Sequence, residues 1–171
     1  MPEYNTAWTV EQSSDPRKSL GYQVRRCHRQ FDRVLGHRLA SHGVKTGAWY
    51  YLRILWTQDG LTQRLLSEMT HVAENTTAAI IKGMLADGLV ERHRDPQNRR
   101  KVRITLTEKG RGLEEQIKPY AALINGIAAE GISSQEIDSC LATLVKLSEN
   151  LEMEFARVSS DALRHLQQAV S

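Results

Sequence analysis

The sequence has little of what stabilises or anchors proteins outside a reducing compartment. Only two of its 171 residues are cysteine, which is too few for a disulfide framework and indicates a reducing cytoplasm. The longest apolar run, residues 49–56, is short for a membrane span and contains Arg53. The first 18 residues lack the basic and apolar regions of a signal peptide. We therefore expect a cytoplasmic protein with no membrane partner.

Signatures of catalysis are also missing. The six histidines are scattered, and none stands near Cys, Asp or Glu at a spacing typical of a metal site. The sequence contains no nucleotide-binding loop, nucleophile elbow or convincing acid–base pair. Cys27 and His28 are adjacent and so point to different faces of a helix, which excludes a local dyad. We expect a protein that is not an enzyme and that needs no cofactor or metal.

Charge is unevenly distributed along the chain. The formal net charge is only +3, but residues 82–111 carry nine basic and four acidic side chains, and residues 112–171 carry four basic and nine acidic. A short basic block in a nearly balanced chain is typical of a footprint for a polyanion. Charge alone fits a solvated basic surface equally well.

Apolar periodicity divides the chain into four parts. Residues 1–16 are polar and aperiodic, which predicts a flexible arm. Residues 17–45 show helical spacing, which predicts a helix. Residues 46–58 predict a second helix rich in aromatic side chains. Residues 62–69, with Thr62 as N-cap, and residues 74–86 predict two short helices joined by a tight turn, the helix-turn-helix pattern.

The period then changes from helical to alternating. Residues 89–94 and 102–106 predict two short strands around the turn at 95–98. A helix-turn-helix followed by a hairpin predicts a winged helix-turn-helix lobe over residues 46–110. The fold class expected is mostly α with a small β-hairpin wing (α+β), with N- and C-terminal dimerisation helices.

The last part, residues 111–171, predicts two long helices with narrow apolar stripes. In the second helix the apolar positions step by four and three from Ile137 to Val158, a heptad seam suited to packing against another long helix. We favour a homodimer over an intramolecular helical hairpin, because a small winged lobe offers little core for such stripes. Pro119 is expected to kink the first of these helices.

The hairpin tip concentrates positive charge at Asn98, Arg99, Arg100 and Lys101. The run containing it, residues 95–110, reads DPQNRRKVRITLTEKG, and residues 88–92 before it read GLVER. Both resemble the wing signature of the MarR family, and the resemblance extends over roughly residues 20–155. It implies a homodimer whose lobes bind a near-palindromic operator on double-stranded DNA. It also implies repression that a small aromatic or phenolic anion relieves.

The sequence departs from the family pattern where DNA would be contacted. Asn98 stands where the wing usually carries Asp, Ala73 replaces the usual Ser cap of the recognition helix, and the exposed face holds Ala79 and Gly83. Asn75 fits both a contact to an adenine edge and a simple helix cap. The expected DNA contacts are Thr62, Gln63, Asn75, Thr76, Thr77, Lys82, Arg94, Arg99, Arg100 and Lys101.

The resemblance also implies an effector site against the first two helices. Aromatic walls with a few cationic donors suit a planar carboxylate, such as an aromatic acid or its coenzyme A thioester. Trp49 fits core packing better than ligand binding, and Arg53 fits a pair with Asp32 or Asp59 as well as a ligand contact. The candidate effector residues are Cys27, His28, Phe31, Trp49, Tyr50 and Arg53.

A thiol-based redox sensor is the alternative function. One branch of the resembled family senses hydroperoxides through a cysteine in the first helix, but that cysteine would match a position near Gly21. Cys27 lies on the apolar stripe, which favours buried packing, although Arg26 and His28 beside it fit a reactive thiol.

Overall fold

The computed structural model describes residues 14–95, 98 and 101–169, with side chains through residue 160. The chain divides into two compact units, with the boundary between Asn125 and Gly126. Within the described residues, no helix is both long and apolar enough to cross a membrane. The predicted arm, residues 1–16, lies mostly outside the described part, and the four-part division of the chain stays a prediction.

Two helices open the first unit. A 3₁₀ turn, Pro16–Lys18, precedes α1, Leu20–Ala40, whose first turn is capped by Ser19. The second helix, α2, spans Thr46–Thr57, one residue shorter than predicted. Only the C-terminal half of α1 is buried, at Leu35 and Leu39, whereas its N-terminal apolar positions are exposed. Cys27 is among the exposed residues, so the expectation that it packs in the core is wrong for this chain.

The helix-turn-helix forms where the sequence predicts it. Helix α3 spans Gln63–Thr70, and the hydroxyl of Thr62 accepts a hydrogen bond from the Leu65 amide at 3.2 Å, as expected of an N-cap. His71 ends α3 in the left-handed conformation, with φ of 53°. Helix α4 spans Glu74–Ala86, the predicted recognition helix.

The wing belongs to a three-stranded antiparallel sheet rather than to a two-stranded hairpin. Its strands are β1, Leu61–Thr62, β2, Val90–Arg94, and β3, Val102–Leu106, in the order β1-β3-β2. Leu61 pairs with Ile104 in register, and both side chains are buried. The short strand β1 therefore ties the start of α3 to the base of the wing.

Three short helices replace the first predicted C-terminal helix. They are α5, Glu108–Gly112, α6, Glu114–Ile117, and α7, Pro119–Ala128, followed by the long α8, Ser134–Ala169. The last break falls at Pro119, the position where a kink was predicted. Lys118 before it keeps helical dihedrals, with φ of −54° and ψ of −38°, whereas Pro119 has no amide hydrogen to continue the helical bonding.

The core of the first unit lies between α2, α4 and the sheet. Its fully buried side chains include Leu52, Leu66, Ile81 and Ile104. One close approach needs a glycine: a Cβ at Gly110 would lie 2.1 Å from the Leu89 carbonyl oxygen. This contact fixes α5 against the start of β2 and so positions the wing on the lobe.

Candidate nucleic-acid interface

The start of α4 presents short polar side chains to solvent. Asn75 and Thr76 in its first turn are exposed, as is Lys82 further along. Ala73 makes no side-chain capping hydrogen bond, which confirms that the helix start lacks the usual acceptor. Glu74 stands beside these residues, and its charge favours the helix dipole but opposes a phosphate. The exposed face of the helix therefore offers few long side chains for reading bases.

Thr77 does not belong to this exposed set. Its side chain is completely buried, and its Oγ1 lies 2.9 Å from the hydroxyl oxygen of Tyr51 in α2. The sequence-based assignment of Thr77 to the DNA contacts is therefore wrong for this conformation. The helical period, which places residue 77 on the inward face with Ile80 and Ile81, is the stronger indicator here.

The start of α3 presents Thr62 and Gln63, both partly buried. The Thr62 hydroxyl oxygen already accepts the Leu65 amide, so its hydrogen is what remains for an external acceptor such as a phosphate. A hydroxyl and an amide at a helix start are common partners of DNA phosphates. This edge is therefore suited to holding the lobe on the backbone rather than to reading bases.

The wing carries two exposed cations next to its tip. Arg94 ends β2 opposite Val102, and Lys101 directly precedes β3. The Asp95 amide donates to the Lys101 carbonyl oxygen at 2.9 Å, which closes the hairpin beyond the last strand pair. Arg99 and Arg100, predicted to carry the main contacts, lie outside the described residues.

An ion pair that the sequence analysis missed, with a buried carboxylate and a half-exposed guanidinium, holds the wing to the lobe. Arg103 donates to Oδ2 of Asp95 from Nε at 2.7 Å and from Nη2 at 2.6 Å, and its Nη1 donates to the Gly60 carbonyl oxygen at 2.8 Å. The Asp95 side chain is only 6% exposed. Oδ1 of Asp95 accepts the Asn98 amide at 3.3 Å. Asp95 thus joins Asn98 of the turn to Arg103 of β3.

A second carboxylate, that of Asp59, joins the sheet to the helix that follows it. Its Oδ1 accepts the amides of Gly60 and Leu106, each at 2.9 Å, and its Oδ2 lies 2.7 Å from Nη2 of Arg111. The sequence analysis named Asp59 only as a possible partner of Arg53. Its pairing with residues some fifty positions later has no local signal.

A cavity of about 890 Å³ has Thr76 and Ile80 of α4 in its wall. Its walls bring together residues from α1, α2, the helix-turn-helix and α7. The cations that line it are Arg53 and Lys118, with His28 beside them, and the apolar lining includes Ile54, Trp56 and Ile80. Thr76, at the exposed start of the recognition helix, belongs to the same wall.

The predicted effector residues divide between two cavities. His28, Tyr50 and Arg53 line the large cavity. Phe31 and Trp49, with Tyr50 and Arg53, line a neighbouring cavity of about 80 Å³. Cys27 lines neither of them. Five of the six predicted effector residues therefore line one cavity or both. The sequence analysis missed Lys118, which lies far along the chain in a segment without a motif.

A hydrogen-bonded carboxylate modifies the charge near the large cavity. The Tyr50 hydroxyl donates to Oδ1 of Asp32 at 2.9 Å, and Oδ2 lies 3.4 Å from Nε2 of His28. Burial, with the neighbouring Asp32 carboxylate, raises the pKa of Tyr50 to about 12. Neither predicted partner of Arg53 pairs with it: Asp32 contacts Tyr50 and His28, and Asp59 pairs with Arg111. The Arg53 guanidinium lies instead 5.9 Å from the centre of the Trp49 ring.

The described residues include no cluster of His, Cys, Asp or Glu able to hold a metal ion. The helix-turn-helix, the braced wing and their exposed polar edge define a winged helix-turn-helix DNA-binding protein. The model of the MarR family matches residues 46–102. YwhA of Bacillus subtilis, an HTH-type transcriptional regulator, is 35% identical over 102 residues, which cover 58% of this chain and 72% of YwhA. The chain belongs to the MarR family of transcriptional regulators, which bind DNA and are not enzymes.

Other relatives agree with this assignment. The regulator TtmR of Methylorubrum extorquens is 29% identical over 133 residues, which cover 78% of this chain and 66% of TtmR. YetL of B. subtilis, an HTH-type transcriptional repressor, is 27% identical over 129 residues, which cover 73% of this chain and 76% of YetL.

Solved structures share the fold. The transcriptional regulator SlyA superimposes with a TM-score of 0.74 at 25% identity, covering 80% of this chain and 96% of SlyA. A MarR family regulator from Listeria monocytogenes, solved with a 26mer DNA, has a TM-score of 0.72 at 22% identity and covers 81% of this chain and 92% of that one. At this identity the second likeness shows the fold alone.

Proposed function

We propose that this regulator is a homodimeric repressor that acts in the cytoplasm and leaves a near-palindromic operator when a small aromatic acid, or its coenzyme A thioester, binds. The observation that carries the proposal is the shared position of Thr76. It lies at the exposed start of the recognition helix and also lines the large cavity. A ligand in that cavity therefore touches the element that faces DNA.

The proposed DNA contacts are of two kinds. Asn75 and Thr76 would contact base edges from α4, and the cations Lys82, Arg94 and Lys101 would contact phosphates, together with Arg99 and Arg100 of the tip. Thr62 and Gln63 would hold the start of α3 against the backbone. The relative YetL is a repressor by name, and the Listeria regulator was solved on DNA, which supports this mode of action.

Salt dependence tests the wing. Replacing Arg99 and Arg100 together by Ala should weaken binding to every duplex and lower the slope of log affinity against log salt by about 1 for each phosphate that is no longer neutralised. The matched control replaces Arg17 and Lys18 by Ala, which removes the same charge from the 3₁₀ turn before α1. An unchanged slope in the wing variant would exclude the wing from the interface.

The proposed dimer rests on the apolar seam of α8. Leu151 is 72% exposed and Phe155 is 75% exposed, and Leu144 is exposed as well. A heptad stripe of this kind fits a second copy of the same helix region. Leu144→Glu with Leu151→Glu should give monomers by light scattering and abolish operator binding, whereas Ala142→Glu with Asn150→Glu adds the same charge off the seam. A seam variant that stays dimeric would contradict the assignment.

The proposed effector is an anion with an aromatic body. Arg53 and Lys118 supply positive charge, and the indole and isoleucine side chains supply an apolar wall. Benzoate, salicylate and their coenzyme A thioesters should be screened by thermal shift, with Arg53→Met as the variant that loses the response. If no compound of this class shifts the unmodified protein, the effector class is wrong. The redox alternative gains no support, since Cys27 lines neither cavity.

A further inference from the structure

A series of hydroxyl hydrogen bonds lies beneath the turn of the helix-turn-helix. The Tyr51 hydroxyl oxygen is 2.9 Å from Oγ1 of Thr77, and that Oγ1 is 3.3 Å from the Val72 carbonyl oxygen. Oγ of Ser67 is 2.6 Å from the same carbonyl oxygen. The series joins α2 through Tyr51, α4 through Thr77 and α3 through Ser67 at one buried point.

The donors in this series can be assigned by counting hydrogens. Thr70 Oγ1 lies 2.7 Å from the Leu66 carbonyl oxygen and 3.4 Å from the Tyr51 hydroxyl, so its single hydrogen is best used on the carbonyl. The Tyr51 hydrogen is then free for Thr77, whose own hydrogen points to Val72. Every hydroxyl hydrogen is used once, and the buried groups are satisfied without water.

This arrangement matters because α4 begins without a capping side chain. In most helices of this kind a Ser, Thr, Asp or Asn at the N-cap holds the first turn in place. Here Ala73 occupies that position and makes no such bond. Thr77, one turn further along and fully buried, is bonded instead to the helix below it.

We propose that Tyr51 and Thr77 are positioning residues that set the orientation of the recognition helix, and thereby sequence discrimination, through their buried hydrogen bond. The inference rests on the proposed function, because it requires α4 to read DNA. The bond fixes the helix start from beneath, so the exposed Asn75 and Thr76 keep one direction relative to the lobe. Neither Tyr51 nor Thr77 touches DNA in this account.

The test uses the full-length protein and two probes. One is a duplex that the unmodified protein enriches from a random-sequence pool, and the other is a scrambled duplex of the same composition. The variants are Tyr51→Phe and Thr77→Val, which remove a hydroxyl with little change of volume, and Thr77→Ser, which restores it. Tyr120→Phe is the control, because it removes a hydroxyl 3.0 Å from Nε2 of His42, away from α4.

We expect Tyr51→Phe and Thr77→Val each to lower affinity for the enriched duplex about 3- to 10-fold, the size of one net hydrogen bond. Affinity for the scrambled duplex should change far less, because the proposed phosphate contacts other than Lys82 lie outside α4. Thr77→Ser should recover specific binding. The double variant should lose no more than Thr77→Val alone, since each single variant already breaks the bond between Tyr51 and Thr77.

A merely structural role predicts a different pattern. It would lower the melting temperature and reduce both affinities together, and Tyr120→Phe would do the same. That result, or a Thr77→Val variant with unchanged discrimination, would overturn the inference while leaving the proposed function in place. If Thr77→Val does not fold, the ratio of affinities for the enriched and the scrambled duplex is measured for Tyr51→Phe alone, and that ratio decides. If the unmodified protein enriches no duplex, the proposed function and the inference fail together.

Discussion

The ion pair between Arg103 and Asp95 gives the most direct test of how the wing is held. Replacing Arg103 by Met keeps the aliphatic stem but removes three hydrogen bonds, two to the carboxylate and one to the Gly60 carbonyl oxygen. The change removes the Arg103 guanidinium from a carboxylate that is only 6% exposed. We expect the variant to be less stable and its wing to be less fixed.

The magnitude follows from the exposure of the two partners. Removing one partner of a fully buried pair costs about 3–5 kcal/mol, whereas exposed pairs contribute about 0.2–1 kcal/mol. The Arg103 side chain is 44% exposed, so water can reach the vacated position and solvate part of the carboxylate charge. We therefore expect a loss of about 2 kcal/mol in the free energy of unfolding. For a chain of this length that corresponds to about 4–8 °C in Tm.

The assay is urea unfolding followed by tryptophan fluorescence at one fixed protein concentration, because self-association would shift the midpoint. Arg92→Met is the control, since Arg92 is an exposed residue on the neighbouring strand opposite Ile104. It should change stability by less than about 0.5 kcal/mol. Adding Asp95→Asn to Arg103→Met should restore part of the loss by removing the stranded charge. The reasoning is refuted if Arg103→Met behaves like Arg92→Met.

Two further predictions concern the packing of the lobe and the larger cavity. Gly110→Ala should cost at least about 2 kcal/mol, because its Cβ would lie 2.1 Å from the Leu89 carbonyl oxygen; calorimetry showing an unchanged Tm would contradict that contact. The pKa of Tyr50 is raised to about 12 from the ordinary 10, so between these pH values the folded phenol stays protonated while the unfolded one ionises. The stability that the protonated phenol contributes is therefore present below pH 10 and is lost between pH 10 and 12. Absorbance titration of the unmodified protein against Tyr50→Phe should therefore show this tyrosine ionising near pH 12, and a difference spectrum centred near pH 10 would rule out the burial beside Asp32.

Local signals were sufficient for most of the helix-turn-helix. Helix α4 occupies Glu74–Ala86 as predicted, because its apolar period is clear and Asp87-Gly88 ends it. Strand β3 also occupies its predicted range, Val102–Leu106, owing to strict alternation. These elements are specified by residues within a few positions of one another.

The errors arose where distant residues decide the structure. Strand β1 has only two residues, and it exists because Leu61 meets Ile104 across the sheet. Gly110 approaches the Leu89 carbonyl oxygen closely, which is likewise a contact that apolar spacing does not reveal.

The candidate site shows the same division. Exposure of Asn75 and Lys82 follows from the helical period, whereas the Arg103–Asp95 pair depends on hairpin geometry that places them diagonally across two strands. Thr77 was assigned to the DNA contacts on the family pattern, although the helical period of α4 places it on the inward face. Its complete burial agrees with the helical period.

Thr76 is exposed at the start of α4 and also lines the large cavity, and this shared position has a thermodynamic consequence. If an occupant of the cavity lowers affinity for the operator by some factor, the operator must lower affinity for that occupant by the same factor. DNA is then an effector of ligand binding as much as the ligand is an effector of DNA binding. A protein held on its operator would need a higher ligand concentration to respond than the same protein free in solution, and the ratio of those two concentrations is the coupling itself.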